Sequence, residues 1–266
     1  MLMARLVSYL CLALLMACSE DLPLEEENRY FCAVDNAQFD TAVILVIGQS
    51  NAANFGNQLH VPNCENMSNF DLGNFYELKD PLHGSDGAGG SVWSRMADQL
   101  LEKDFAKHII VAPVARGGTA IEQWVPGGNL NYLLTNQIHA LQNEPLKVTH
   151  VLWHQGESNN SALSPGTDPI QNAEAYSTNF ILLTRYIRSL GIDAPIFIAA
   201  ATRCAWIPID PFLQNAQIAL ANDTLGVFNG PNTDLLGFEW RYDDCHFNKE
   251  GLNQHALMWA GILLEH

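Results

Sequence analysis

The feature that most constrains this chain is an alternation of short, almost unbroken apolar runs with longer segments of helical period. The runs are Ala42–Ile47, His108–Val114, Val148–Trp153, Pro195–Ala200 and a weaker Leu225–Phe228. They are of strand length and rich in Val, Ile, Leu and Ala, as strands covered on both faces of a parallel sheet are. Between them, Ser91–Phe105, Asn131–Gln142, Asn172–Leu190, Pro211–Ala221 and Lys249–Leu264 space their apolar residues as amphipathic helices do. The pattern predicts an α/β fold, a three-layer α/β/α sandwich around a mainly parallel five-stranded sheet. At 266 residues, 48% of them hydrophobic, the chain can bury one large core but is short for two. One domain is therefore expected over residues 30–266. The segment Asn57–Gly90, rich in Asn, Gly, Asp and Pro, is longer than a usual connection and is read as an insertion or loop.

A targeting segment precedes that domain. Arg5 is followed by an apolar run from Leu6 to Ala17, too short to cross the roughly 30 Å hydrocarbon layer comfortably. Its ending, Leu15-Met16-Ala17-Cys18, resembles a bacterial lipobox. That resemblance makes residues 1–17 a signal peptide and Cys18 the lipidated first residue of the mature protein. Ser19 in the next position suggests the outer membrane, with the lipid on Cys18 as the membrane contact. Residues 18–29 are acidic, lack an apolar period and read as a tether.

Charge narrows the partners. The chain has 13 Lys+Arg against 29 Asp+Glu, and removing residues 1–17 takes away only Arg5, leaving 12 against 29, about −17. Such a surface repels phosphate backbones, so no nucleic-acid partner is expected. Beyond Cys11 and Cys18 the cysteines are Cys32, Cys64, Cys204 and Cys245, an even number in an exported chain, which allows three disulfide pairings. No two of them stand at C-x-x-C spacing, so no metal site is expected.

Ligands of parallel α/β sheets bind at the carboxyl ends of the strands, and the polar clusters of this sequence fall there. Gly48-Gln49-Ser50-Asn51 follows the first run, where the chain is expected to enter a helix over Ala52–Asn57. A serine at that helix start would have free N–H groups and a positive dipole end beside it, although a lone Gly-x-Ser is more often an ordinary cap. Near the last helix stands Asp243-Asp244-Cys245-His246-Phe247-Asn248. An Asp three residues before a His can accept its Nδ1–H and leave Nε2 free as a base, which favours Asp243 over Asp244 as the orienter of His246. Arg116-Gly117-Gly118-Thr119 and Trp153-His154-Gln155-Gly156-Glu157-Ser158-Asn159 follow the second and third runs. A backbone N–H and a side-chain amide from these segments suit the stabilisation of an oxyanion, since neither titrates.

The ordered set GQSN, ARGGTAIEQW, WHQGESN and DDCHFN resembles the SGNH hydrolase superfamily, in particular its sialate O-acetylesterase-like and carbohydrate esterase family six branch. The resemblance covers about Ala42 to the last helix. It implies a serine esterase that removes O-acetyl groups from carbohydrate, with Ser50, His246 and Asp243 as the catalytic triad. It places the oxyanion between the N–H of Ser50, the N–H of Gly117 (Gly118 being the alternative in register) and the amide of Gln155. His154 and Glu157 would hold Gln155 and its loop. No cofactor is implied, and the expected partner is an acetylated carbohydrate. With that fold, Cys204 at the rim and Cys245 in the Asp-x-x-His turn would pair and brace the base, leaving Cys32 for Cys64. Trp124, Trp206 and Trp240 lie near the rim motifs and could stack on a sugar ring, packing in the core being the more ordinary role. A lipolytic or thioester hydrolase on the same scaffold, or a carbohydrate-binding surface lipoprotein without turnover, are the alternative functions.

Overall fold

The computed structural model describes residues 29–266. The signal peptide, Cys18 and nearly all of the tether lie outside the described residues.

The runs form β1 (Phe39–Gly48), β4 (Ala106–Ala115), β5 (His150–His154), β6 (Ile196–Ala200) and β7 (Val227–Asn232). The sheet nevertheless has seven strands, not the expected five. Two further ones, β2 (Met67–Asp71) and β3 (Asn74–Glu77), come from the segment read as an insertion. Their sequence hides them because β3 is exposed along its whole length and so carries no buried run. The order is β3-β2-β4-β1-β5-β6-β7, all parallel except the β2–β3 hairpin.

Alternate residues of the central strand β1 feed two cores. Ala42, Ile44 and Val46 join one, under α1 (Val92–Glu102) and α5 (Lys249–Leu264). Val43, Leu45 and Ile47 join the other, under α2 (Asn131–Gln142), α3 (Pro169–Ser189) and α4 (Pro211–Ala219). This is the three-layer sandwich. The helices begin where side chains cap them: Ser91 on α1, Asp168 on α3, Asp210 on α4 and Asn248 on α5. In α3 and α4 a proline occupies the first turn, which moves the start of α3 back to Pro169 from the expected Asn172.

The chain leaves β1 towards β4 on one side and returns past it to β5 on the other. The switch point therefore lies at the carboxyl end of β1, where Ser50 stands. Disulfides join Cys32 to Cys64 and Cys204 to Cys245, with Cα separations of 5.4 and 4.1 Å. This is the expected pairing.

At the opposite, amino-terminal end of the sheet, His150 sits almost fully buried among Phe39, Phe105 and Phe197, with ring centroids 5.4, 5.4 and 6.1 Å away. Burial, with a lesser contribution from His266, pushes its imidazole down to about 4. The unfolded chain then takes up a proton near 6.5 that the folded chain refuses, so this contribution to stability is full above 6.5 and lost as pH falls towards 4. The total is about 3 kcal/mol. Chemical denaturation of His150→Phe at pH 7 and 4.5 should show a smaller acid loss than the parent. Equal losses would remove His150 as the source.

Candidate active site

Gly48 ends β1 against β5 so closely that a Cβ there would lie 2.0 Å from the carbonyl oxygen of His154. That contact lets Gln49 N donate to His154 O (3.1 Å), while Arg116 N donates to Gly48 O (3.1 Å). The rim segments after β1, β4 and β5 are thus laced by backbone bonds before any side chain takes part. The expected helix over Ala52–Asn57 does not form. A single 3-10 turn, Ser50–Ala52, is followed by irregular chain whose polar groups are satisfied from outside. Asn54 exchanges bonds with Leu82 (Oδ1 from N, 2.8 Å; Nδ2 to O, 2.9 Å), and Gly56 pairs with Gly90. With no helix there, no macrodipole acts at Ser50, and only individual N–H groups remain.

Ser50 is 5% exposed, at the floor of the rim. Across from it, Asp243 Oδ1 accepts the N–H of Cys245 (3.1 Å) and of His246 (2.6 Å), and Oδ2 lies 2.7 Å from His246 Nδ1. Partial burial raises the Asp243 carboxyl, but these bonds from His246 and Cys245 outweigh it and hold it below its ordinary value. His246 is stacked on Phe55 with centroids 5.1 Å apart. Asn51 joins the two halves, donating from Nδ2 to Cys245 O at 3.3 Å and to Glu157 Oε1 at 2.8 Å. Among the described residues no hydrogen bond closes between Ser50 Oγ and His246 Nε2. Asp244 takes no part in orienting the base and instead has φ +65° in the turn, its carbonyl accepting Ala205 N at 3.1 Å.

Glu157 is buried under this junction. Burial would raise its carboxyl, yet His154, with Nε2 3.3 Å from Oε1, and the bond from Asn51 bring it below its ordinary value. His154 and Glu157 therefore hold Asn51, where the sequence suggested Gln155. The turn carrying His246 is braced by Arg241, which donates from Nη1 to Cys245 O, from Nε to Leu236 O (3.1 Å) and from Nη2 to Thr233 O (3.2 Å). Desolvation lowers this guanidinium to about 10, so it remains charged at neutral pH.

Two of the expected oxyanion donors are engaged by acceptors of the protein itself in this structure. Gln155 is wholly buried, and its Nε2 is surrounded by three acceptors: Asn159 Oδ1 (2.7 Å), Thr119 O (3.0 Å) and Gln49 Oε1 (3.1 Å). It has no donor left to offer. Gln49 Oε1 also accepts Ser158 N (3.1 Å) and Gly156 N (3.4 Å), which fixes the amide so that its Nε2 points away from these donors. Among the described residues that Nε2 meets no acceptor, and it is not sealed from solvent. Gly117 packs against Phe55, where a Cβ would lie 2.8 Å from the ring, and its N–H is held by the Asp86 carboxylate at 3.0 and 3.1 Å. Gly118, exposed and at φ +67°, is the neighbouring position. Gln49, Asn51, Arg241, Phe55 and Asp86 are residues at this rim that the sequence did not single out, and of these only Gln49 and Asn51, inside GQSN, carried a local signal.

Of the three tryptophans near the rim, Trp124 is fully buried with Nε1 donating to Thr119 Oγ1, Trp240 is half-buried against the core, and Trp206 is exposed. Among the described residues no cluster of three or more His, Cys, Asp or Glu could hold a metal ion.

A three-layer sandwich around a mostly parallel sheet, with polar groups gathered at the topological switch point, is the architecture shared by the SGNH-type neighbours of this chain. Residues 40–265 match the family described as carbohydrate esterase, sialic acid-specific acetylesterase, and the chain belongs to that family. It is 27% identical over 196 residues to the Arabidopsis thaliana protein "Probable carbohydrate esterase At4g34215", covering 71% of this chain and 70% of that one. The crystal structure of that Arabidopsis protein superposes with a TM-score of 0.69 at 21% identity over 85% of this chain and 98% of the other. NanS superposes at 0.58 (18% identity, 85% and 97% covered), and the carbohydrate acetylesterase XAC1771 of Xanthomonas citri at 0.53 (18%, 82% and 55%). These superpositions show a shared fold.

The junction yields a stability test. Asn51→Ala removes two buried bonds and should cost about 1–3 kcal/mol. Asn51→Asp should cost more, because it sets a second buried carboxylate beside Glu157. Thermal unfolding near neutral pH should rank the parent above Asn51→Ala and that above Asn51→Asp. The reverse order of the two variants would show that Glu157 is not ionised there.

Proposed function

We propose that this hydrolase is a serine esterase that removes O-acetyl groups from carbohydrate, with Ser50 as nucleophile, His246 as base and Asp243 as its orienter. The observation that carries the reading is the fixed Asp243–His246 pair, whose turn is tied at Cys245 O to Asn51, the residue after Ser50. His246 Nε2 takes the Ser50 proton as Oγ bonds to the acetyl carbon. The tetrahedral oxyanion collapses, the bond to the sugar oxygen breaks, and His246 returns the proton to that oxygen. Water, deprotonated by His246, then cleaves the acyl-enzyme to acetate and restores Ser50. No cofactor enters these steps.

The oxyanion is held by the N–H of Ser50 and by Nε2 of Gln49, with Gln155 acting behind Gln49 by accepting no share of the charge and fixing its Oε1. A third donor, the N–H of Gly117, becomes available once the Asp86 carboxylate leaves it. The family description supports acetyl as the acyl group. Two disulfides support an oxidising compartment, and we propose the outer-membrane lipoprotein route through Cys18 for this chain.

Acetate release from a panel of acetylated glycans, with simple esters of increasing chain length beside it, tests reaction and substrate together. Ser50→Ala should abolish release. A preference for acyl chains of about eight carbons or more would replace the reading with a lipolytic one. Binding without any release would leave a carbohydrate-binding protein.

Gln49→Ala should lower kcat by roughly a hundredfold to a thousandfold, the loss typical of one oxyanion donor. A larger loss in Gln155→Ala at unchanged thermal stability would return the role to Gln155. Asp86→Asn, which removes a negative charge from where another must form, should raise kcat on p-nitrophenyl acetate. A fall in kcat would assign Asp86 to holding the Gly117 loop in shape.

A further inference from the structure

Trp93, Trp124, Trp153 and Trp259 are fully buried and Trp240 is half-buried, yet Trp206 is 78% exposed. It lies on the loop that follows β6, where the neighbouring Cys204 is bonded to Cys245, the residue before His246. Ala205 and Trp206 have φ of +53° and +61°, conformations that residues with a Cβ avoid unless their surroundings impose them. Here the disulfide and the bond from Ala205 N to Asp244 O (3.1 Å) impose them. The strained loop is thus clamped onto the turn that carries the base, and what it presents to solvent is an indole.

A second ring extends the surface. Phe238, 40% exposed, lies 5.8 Å from Trp206 between ring centroids, tilted by 32°. The Arg203 guanidinium stands over Phe238 at 5.0 Å, held by Nε donating to Asp234 O (3.3 Å). An exposed indole and phenyl group with a cation at the edge offer apolar faces to the C–H side of a pyranose and donors to its hydroxyls. The two rings are the size of a sugar residue or two. A stable protein partner would need about 800 Å² on each side.

We propose that Trp206, with Phe238 and Arg203, is a stacking subsite for a pyranose ring next to the acetylated residue, so that the preferred substrate is an oligosaccharide or polysaccharide rather than a single sugar. This deepens the carbohydrate esterase reading and rests on it for the position of the neighbouring ring.

The test compares the parent, Trp206→Ala and Trp206→Phe on p-nitrophenyl acetate, acetylated xylose and partially acetylated xylotetraose. Binding is followed separately on Ser50→Ala protein by tryptophan fluorescence with unacetylated xylo-, cello-, manno- and chitotetraose. At least one tetrasaccharide should quench or shift the emission, and Trp206→Ala in the same background should abolish the change. Where xylotetraose is turned over, Trp206→Ala should raise its KM roughly tenfold while kcat/KM for p-nitrophenyl acetate stays within about twofold, and Trp206→Phe should recover most of the loss. The proposal is overturned if no tetrasaccharide perturbs the emission, or if Trp206→Ala affects the small ester as much as the tetrasaccharide. It is also overturned if Trp206→Ala abolishes self-association by light scattering, which would make the loop a contact between copies. Loss of all ester hydrolysis in the parent would instead defeat the esterase reading, while the fluorescence arm would still report on the subsite.

Discussion

The rim depends on one buried charge. Glu157 sits beneath the point where the Ser50 turn, the end of β5 and the His246 turn meet, and an isolated carboxylate there would be strongly disfavoured. It is tolerated because His154 and Asn51 face it, and Asn51 passes the constraint on to the carbonyl of Cys245. That carbonyl also receives Arg241, whose positive charge acts on Glu157 through the same junction. His255, its ring centroid 4.8 Å from that of His154 and tilted by 56°, is kept neutral by burial, so it adds no competing charge to the cluster. The spacing of Ser50 and His246 is consequently a property of the core under the site as well as of the loops that bear them.

The same economy of polar groups explains how two glutamines with similar sequence credentials receive different tasks. Each amide has one acceptor end and one donor end, and the two glutamines commit opposite ends: among the described residues the buried Oε1 of Gln155 meets no donor, while the Oε1 of Gln49 is shared by three. Gln155 directs its donors into Asn159, Thr119 and Gln49, whereas Gln49 directs its acceptor towards Gln155 and two backbone N–H groups. One glutamine becomes scaffold and the other keeps a donor beside Ser50. A donor fixed in this way needs little reorganisation as charge develops, which is the condition for electrostatic stabilisation of a transition state.

Much of this was legible in the sequence where burial writes a period. The four strands buried on both faces and the five helices stand close to their expected positions, because a strand covered on both sides admits only apolar residues and a helix against a sheet must keep an apolar stripe, whereas the partly exposed β7 starts two residues later than its weak run and continues past it. The β2–β3 hairpin was illegible for the converse reason: an exposed edge strand has no obligatory pattern, as Asn74–Glu77 shows. The GQSN, DDCHFN and HQGESN segments do meet at one rim, since each follows a strand or opens the last helix there. What they did not announce was which side chain faces in. Gln155 could be told from Gln49, and Asp86 connected to Gly117, only after three-dimensional partners were known, because those pairings join residues from 31 to 109 positions apart.

Asp86 and the acidic surface pose one problem from two sides. The chain is rich in carboxylates, and one of them rests on a backbone N–H at the rim, where the proposed reaction places a negative charge of its own. The Asp86 carboxylate and the Gly117 N–H form a charge-assisted hydrogen bond there. An ester oxygen arriving with substrate is a weaker acceptor than that carboxylate, but the oxyanion that it becomes is a comparable one. The contact with Asp86 would then be exchanged as charge builds on the substrate, so that the bond to Gly117 strengthens from ground state to transition state. A bond with that behaviour accelerates the chemical step without tightening the binding of the unreacted ester.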